Sequence, residues 1–298
     1  MRAIARINLD AWLMLAINEA IMWSPPRERA AYYHEKYVKG HTKSLQTEKD
    51  LRFAVVLDDE LEAEDVESDQ TLTSAVDDAA APAARASVVE GEVAPLKGRV
   101  IAGIKYYLVA ADGPHPDAGT QEIIDAMDTR QEQGMTRLQD ENAKDHQHPH
   151  LVAERGMYNQ PLEDHFVAGI VNARIHARSI LGTHVLIDNL YTDPSHHRRG
   201  AGALLMKEAT RYADELGLWS MLEASPAGRR LYEKCGFKLQ DDQTIWVDLK
   251  RWEDGIDRGA AFSEERLRES GGEPTPENGW YALHVMFRPP QGNIAASR

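Results

Sequence analysis

Residues 194–203 read Pro-Ser-His-His-Arg-Arg-Gly-Ala-Gly-Ala and lead straight into the apolar stretch Leu204-Leu205-Met206. Arg198 and Arg199 bring positive charge to this turn, and Gly200 and Gly202 clear side chains from it. A glycine-punctuated turn opening a helix aims several backbone N–H groups at one point, where the helix dipole also favours negative charge. The chemistry expected of such a turn is capture of a pyrophosphate, and hence of a nucleotide-type cofactor. A Gly-x-x-x-x-Gly-Lys-Ser/Thr run is absent, which argues against a P-loop nucleotidase. A dinucleotide fingerprint would need a third glycine and a place after an early strand, and this turn has neither.

The stretch His197-Arg198-Arg199-Gly200-Ala201-Gly202-Ala203 resembles the acetyl-CoA turn of the GNAT acetyltransferase superfamily, normally written Gln/Arg-x-x-Gly-x-Gly/Ala. Downstream, Leu222-Glu223-Ala224-Ser225-Pro226-Ala227-Gly228-Arg229-Arg230-Leu231-Tyr232-Glu233-Lys234-Cys235-Gly236-Phe237 resembles that superfamily's second hallmark. That hallmark is a strand followed by a helix ending in Leu-Tyr-x-x-x-Gly-Phe. The wording is most similar to fungal acetyltransferases. His197 stands where Gln or Arg is usual, and Ser225 where many relatives carry Asn. The resemblance covers residues 51–60, 98–110, 184–250 and 280–288.

This resemblance implies an α/β fold with a mixed, mainly antiparallel central sheet flanked by helices, and one GNAT domain over residues 1–298. It implies acetyl-CoA as co-substrate and direct attack of an amine on the thioester. The cofactor residues carried over are Leu190 and Thr192 along the pantetheine arm, with Tyr191 on the other face by strand alternation. His197, Arg198, Arg199, Gly200, Ala201, Gly202 and Ala203 surround the pyrophosphate, and Ser225 lies beside the arm. Tyr232 is the proton donor to the departing thiolate or, alternatively, a core-packing ring. Asp188 and Glu223 are the candidate general bases, and His184 a third. Cys235 reads as a small packing residue before Gly236-Phe237.

Composition bounds the rest. The formal net charge is −14, and residues 58–96 carry −11 of it through twelve acidic residues against Arg85. That segment has no aromatic residue and includes Ala79-Ala80-Ala81-Pro82-Ala83-Ala84, so it reads as a disordered acidic insertion. An electrostatic lure for basic acceptors is its functional alternative. The single Cys235 suits a reducing compartment, and the expected location is cytoplasm or nucleus. Arg2 and Arg6 ahead of an apolar stretch imitate a secretory leader, but Asp10, Asn18 and Glu19 fit a helix better. No apolar run reaches a membrane span.

The elements that must position these residues are coarser. Helices are expected at residues 10–23, 27–43 and 120–145, and strands at 53–57, 100–109, 188–193, 219–224, 245–249 and 281–287. The last two should pair as a hairpin. The first strand of the superfamily has only residues 3–7 available to it. His146-Gln147-His148-Pro149-His150 invites a zinc site, but three histidines beside a proline with no nearby cysteine more often form a loop, and no metal is expected. The expected partner is a small-molecule or protein amine, with neither nucleic acid nor membrane involved. The competing functions are a noncatalytic acyl-CoA-binding or sensor domain, or an interaction domain of the same fold.

Overall fold

The computed structural model describes residues 1–22, 30–48, 50–61, 85–88, 98–132, 159–255 and 257–292. The chain begins with helices α1 (Arg2–Trp12), α2 (Ala16–Met22) and α3 (Ala30–Thr47). Residues 3–7, available for a first strand, are therefore helical. Ala5, Asn8 and Leu9 are buried at the spacing of one helix face, so the helical period governs this segment. Strands β1 (Leu51–Asp58), β2 (Arg85–Val88) and β3 (Arg99–Val109) follow, then helices α4 (Ala118–Glu132) and α5 (Gln160–Leu181). Next come β4 (His184–Thr192), helix α6 (Ala201–Leu216), β5 (Trp219–Ala224) and helix α7 (Arg229–Lys234). The chain closes with β6 (Lys238–Leu239), β7 (Ile245–Asp248), helix α8 (Ala260–Glu269) and β8 (Trp280–Arg288).

One eight-stranded sheet organises these elements in the order β2-β1-β3-β4-β5-β8-β6, with β7 paired to β8. β4 and β5 are parallel. The other described pairs are antiparallel, so the sheet is mixed and mainly antiparallel. Parallel neighbours need a crossover, and α6 supplies it. The late hairpin expected from sequence is present, with Ile245 opposite Leu283 and Asp248 opposite Trp280.

Side-chain alternation divides the core into two apolar layers. Ile104, Tyr106, Val185, Ile187, Leu222 and Met286 pack against Leu205, Met206, Ala209 and Ala213 of α6. On the opposite face, Tyr107, Leu186, Met221 and Val285 pack against Ala173 and Ala177 of α5. Arg288 joins β8 to α6 through a bidentate pair with Asp214, both contacts at 2.7 Å. Of the acidic segment, residues 58–61 and 85–88 are described, and Arg85–Val88 is a strand paired with β1. The rest of that segment and the histidine tract at 146–150 lie outside the described residues.

Candidate active site

The site begins where two strands part. β4 and β5 pair from His184–Trp219 to Ile187–Leu222, yet β4 continues to Thr192 and β5 to Ala224. On its other edge β4 carries a bulge: Lys105 faces Asn189 and Tyr106 faces Ile187, which leaves Asp188 as the extra residue. The N–H of Asp193 donates to the Ile101 carbonyl at 2.8 Å. Antiparallel alternation then turns the N–H and C=O groups of Leu190 and Thr192 away from β3, toward the side where β5 has ceased to pair. The Thr192 carbonyl accepts from His197 Nε2 at 3.1 Å, so that ring braces the turn against the strand.

The turn itself is wound to expose backbone donors. Asp193 caps a short 3₁₀ turn at Pro194–His196, its carboxylate accepting from Ser195 N–H. Arg198 then adopts φ 64° and Gly200 φ 89°, two left-handed residues within three. A side chain at Arg198 makes its conformation cost about 1–2 kcal/mol, and alternating backbone hands of this kind produce the concave N–H nests that hold anions. Gly200 then caps α6, whose first N–H groups have no partner inside the helix. Arg199 reaches Asp58 at 3.5 Å and Arg198 is exposed.

The two glycines do different jobs. A Cβ on Gly200 would meet nothing within 4 Å, so its positive φ is what calls for glycine there. A Cβ on Gly202 would stand 3.2 Å from Leu231, with Thr192 and Leu190 at 3.8 and 3.9 Å. Gly202 therefore lets the first turn of α6 close against both α7 and the diverging end of β4.

Both candidate bases lie on the opposite face, and both are bound by Arg174. Its Nε donates to Glu223 Oε1 at 2.9 Å and its Nη2 to Asp188 Oδ1 at 2.7 Å. Lys105 approaches the other Asp188 oxygen at 3.1 Å. Burial pushes the Asp188 carboxyl up, but Lys105 and Arg174 outweigh it and hold that group well below the usual carboxylate range. Such a carboxylate is a weak base at neutral pH. His184 is buried at the far end of β4, where Nδ1 donates to the Gly182 carbonyl at 2.7 Å and burial lowers its pKa.

Tyr232 is 9% exposed and packs in the α6-side layer, edge-on to Phe237 with ring centroids 6.3 Å apart. A Cβ on Gly228 would stand 2.8 Å from its ring, so glycine there makes room for the tyrosine. Burial pushes the Tyr232 phenol well above its ordinary range, which keeps its proton in place at neutral pH. Ser225 accepts from Gly228 N–H at 3.3 Å, closing the turn between β5 and α7. Cys235 is half-buried and burial raises its thiol, the opposite of an activated nucleophile.

Sequence reasoning missed Arg174 and the helix that carries it. The signals were present: Asn159 caps α5 by accepting from Leu162 N–H, Pro161 and Glu163 follow, and Gly182 ends the helix. It also missed a buried polar group in which Asn8 Nδ2 donates to His41 Nε2 at 2.9 Å. The neighbouring Asn189 accepts from Trp12 Nε1 at 3.2 Å. Burial, then Lys105, lower the His41 imidazole to about 4. Among the described residues no helix is long and apolar enough to cross a membrane, and no cluster of metal-ligating side chains occurs.

Residues 117–237 match the family model described as the acetyltransferase (GNAT) family, a span that includes β4, the turn, β5 and α7. No protein of curated function matches the chain in sequence. Among solved structures, a Drosophila melanogaster polyamine N-acetyltransferase that forms N-acetylagmatine is 15% identical, covering 65% of this chain and 71% of that one at a TM-score of 0.36. A mutant of agmatine N-acetyltransferase in its apo form is 13% identical, with 64% and 69% coverage and a TM-score of 0.36. Chaetomium thermophilum Naa20 in complex with a bisubstrate analogue is 14% identical, with 64% and 60% coverage and a TM-score of 0.28.

Proposed function

We propose that this chain, whose residues 117–237 match the acetyltransferase (GNAT) family model, is an N-acetyltransferase that uses acetyl-CoA to acetylate an amine held beside the parted ends of β4 and β5. One observation carries the proposal. A turn with two left-handed residues opens α6 immediately after β4, the strand whose far half has left its parallel neighbour. A pyrophosphate on the N–H groups of Arg199 to Ala203 would leave the pantetheine arm running along Leu190 and Thr192, where backbone groups face the gap.

In this arrangement the neutral amine nitrogen attacks the thioester carbonyl carbon, and the C–N bond forms as the C–S bond breaks. The proton lost from nitrogen passes to water, and CoA leaves as its thiol with a proton from Tyr232, which the phenolate regains from water. The Leu190 N–H supports the carbonyl oxygen as charge develops on it. The Tyr232 hydroxyl donates to the leaving sulfur, with its ring held in place by Gly228 and Phe237. Asp188 holds Lys105 and Arg174, and Glu223 holds Arg174, so both carboxylates are engaged by cations beside the site. His197 fixes the turn through the Thr192 carbonyl, while Arg198 and Arg199 supply the positive field.

Calorimetry with acetyl-CoA tests this assignment. Wild-type protein should bind, and Arg198→Glu with Arg199→Glu should weaken binding at least tenfold, because each reversal places negative charge beside the phosphates. A folded wild-type protein with no heat of binding to acetyl-CoA would overturn it.

A further inference from the structure

Arg174 lies on α5, apart from every cofactor residue, and its side chain is 8% exposed. All three guanidinium nitrogens are used. Nε and Nη2 donate to Glu223 at 2.9 and 3.3 Å, Nη2 also to Asp188 at 2.7 Å, and Nη1 to Thr120 Oγ1 at 3.0 Å. The position of its partners is informative. Ile187 and Leu222 form the last parallel pair, so Asp188 and Glu223 are the first residues of each strand beyond the parting point. Asp188 is also the bulged residue of β4. One rigid, planar cation thus spans the two strands where their backbone ladder stops.

Two strands released from a ladder have two alternatives: to continue pairing, which would consume the Leu190 and Thr192 backbone groups, or to move independently. Two facing carboxylates alone would repel, and apolar residues there would permit closure. A guanidinium held by both carboxylates keeps the strands connected at the distance its own width sets. We infer that Arg174 is a positioning residue that braces β4 and β5 at the mouth of the acyl channel. Its consequence for binding rests on the acetyl-CoA assignment proposed above.

Hydrogen exchange on the free protein and calorimetry with acetyl-CoA test this together. Arg174→Met should speed amide exchange at least tenfold in peptides spanning residues 186–193 and 221–225, leaving residues 204–214 of α6 unchanged. Acetyl-CoA affinity should fall at least tenfold. Arg174→Lys, with the charge but not the fork, should recover part of both losses. Wild-type exchange at the strand ends, equal acceleration in α6, or local acceleration with unchanged affinity would each overturn the inference. Should Arg174→Met fail to fold, Glu223→Gln breaks one arm of the brace and is read by the same criteria, with smaller changes in the same direction. A wild-type protein that binds no acetyl-CoA removes the functional assignment, while the exchange data still decide whether the brace exists.

Discussion

Arg174 and Glu223 meet side by side, with Nε 2.9 Å from Oε1 and Nη2 3.3 Å from Oε2, and their side chains are only 8% and 5% exposed. A forked pair of this kind is worth far more for geometry than for net stability, because desolvating both charges offsets most of their attraction. Its place at the divergence of β4 and β5 ties both candidate bases, Asp188 and Glu223, to one cation. Several measurable consequences come from that cluster and from the turn beside it.

Gly200 and Gly202 should respond differently to substitution. Gly200→Ala places a side chain on a left-handed backbone with space around it, and should cost about 1–2 kcal/mol of stability with a small change in acetyl-CoA affinity. Gly202→Val drives methyl groups into Leu231 and Leu190, at an overpacking cost of about 1–3 kcal/mol, and should displace the turn and weaken acetyl-CoA binding at least tenfold. Chemical denaturation and calorimetry on both variants read these outcomes. Equal affinities for the two would remove the distinction.

Tyr232→Phe keeps the ring against Gly228 and Phe237 and deletes one hydroxyl. General acids contribute roughly 100- to 10,000-fold in rate, so turnover should drop at least tenfold while acetyl-CoA binding changes little. A thiolate leaves unaided more easily once pH exceeds its reference value of about 8.5, so the deficit should shrink as pH rises. Turnover equal to wild type across this range would return Tyr232 to a purely packing role.

Asp188→Asn should destabilise the fold by about 3 kcal/mol at neutral pH, the lower end for breaking a buried pair, since Lys105 and Arg174 each keep a second carboxylate. The folded Asp188 pKa is depressed, so its contribution is fully present above the unfolded value of about 3.9 and fades as pH falls below it. The gap between wild type and variant in urea melts should therefore narrow in acid. A gap that stays constant down to pH about 2 would show that the charge is not its source.

His41 supplies the opposite end of the acid response. Its imidazole is lowered to about 4 in the fold, against about 6.5 when unfolded. Its neutral form is favoured in the fold, so its contribution is present above about 6.5 and is lost as pH falls toward 4, on the order of 3 kcal/mol in total. His41→Gln should flatten that part of the stability profile between these values. An unchanged slope would place the acid sensitivity elsewhere.

The shape of the turn between β4 and α6 was legible because it depends on local chemistry. Gly200 is called for by its positive φ and Gly202 by the closeness of Leu231, and β5 lies at residues 219–224 as its apolar run suggests. The other face was hidden because it depends on contacts distant in sequence. Nothing in the run around Arg174 shows that its charge will be matched by Asp188 and Glu223 from two different strands. The same holds for Asn8 and His41, which meet across two helices. The helix over residues 2–12 was missed because residues 3–7 were left to the first strand that the superfamily resemblance implied, and burial of Ala5, Asn8 and Leu9 on one face decides for helix.

The most direct measurement of the central claim is acetyl transfer itself. Purified protein with acetyl-CoA should be incubated with a panel of small diamines, arylalkylamines, amino acids and peptide N-termini, with free thiol and acetylated product measured together. The expected result is thiol release matched one for one by N-acetylated product for at least one amine class, and loss of both when the turn is disabled by Arg198→Glu with Arg199→Glu. Acetyl-CoA binding with no acetylated product from any amine class would contradict the enzymatic assignment and leave a domain that holds the cofactor without using it.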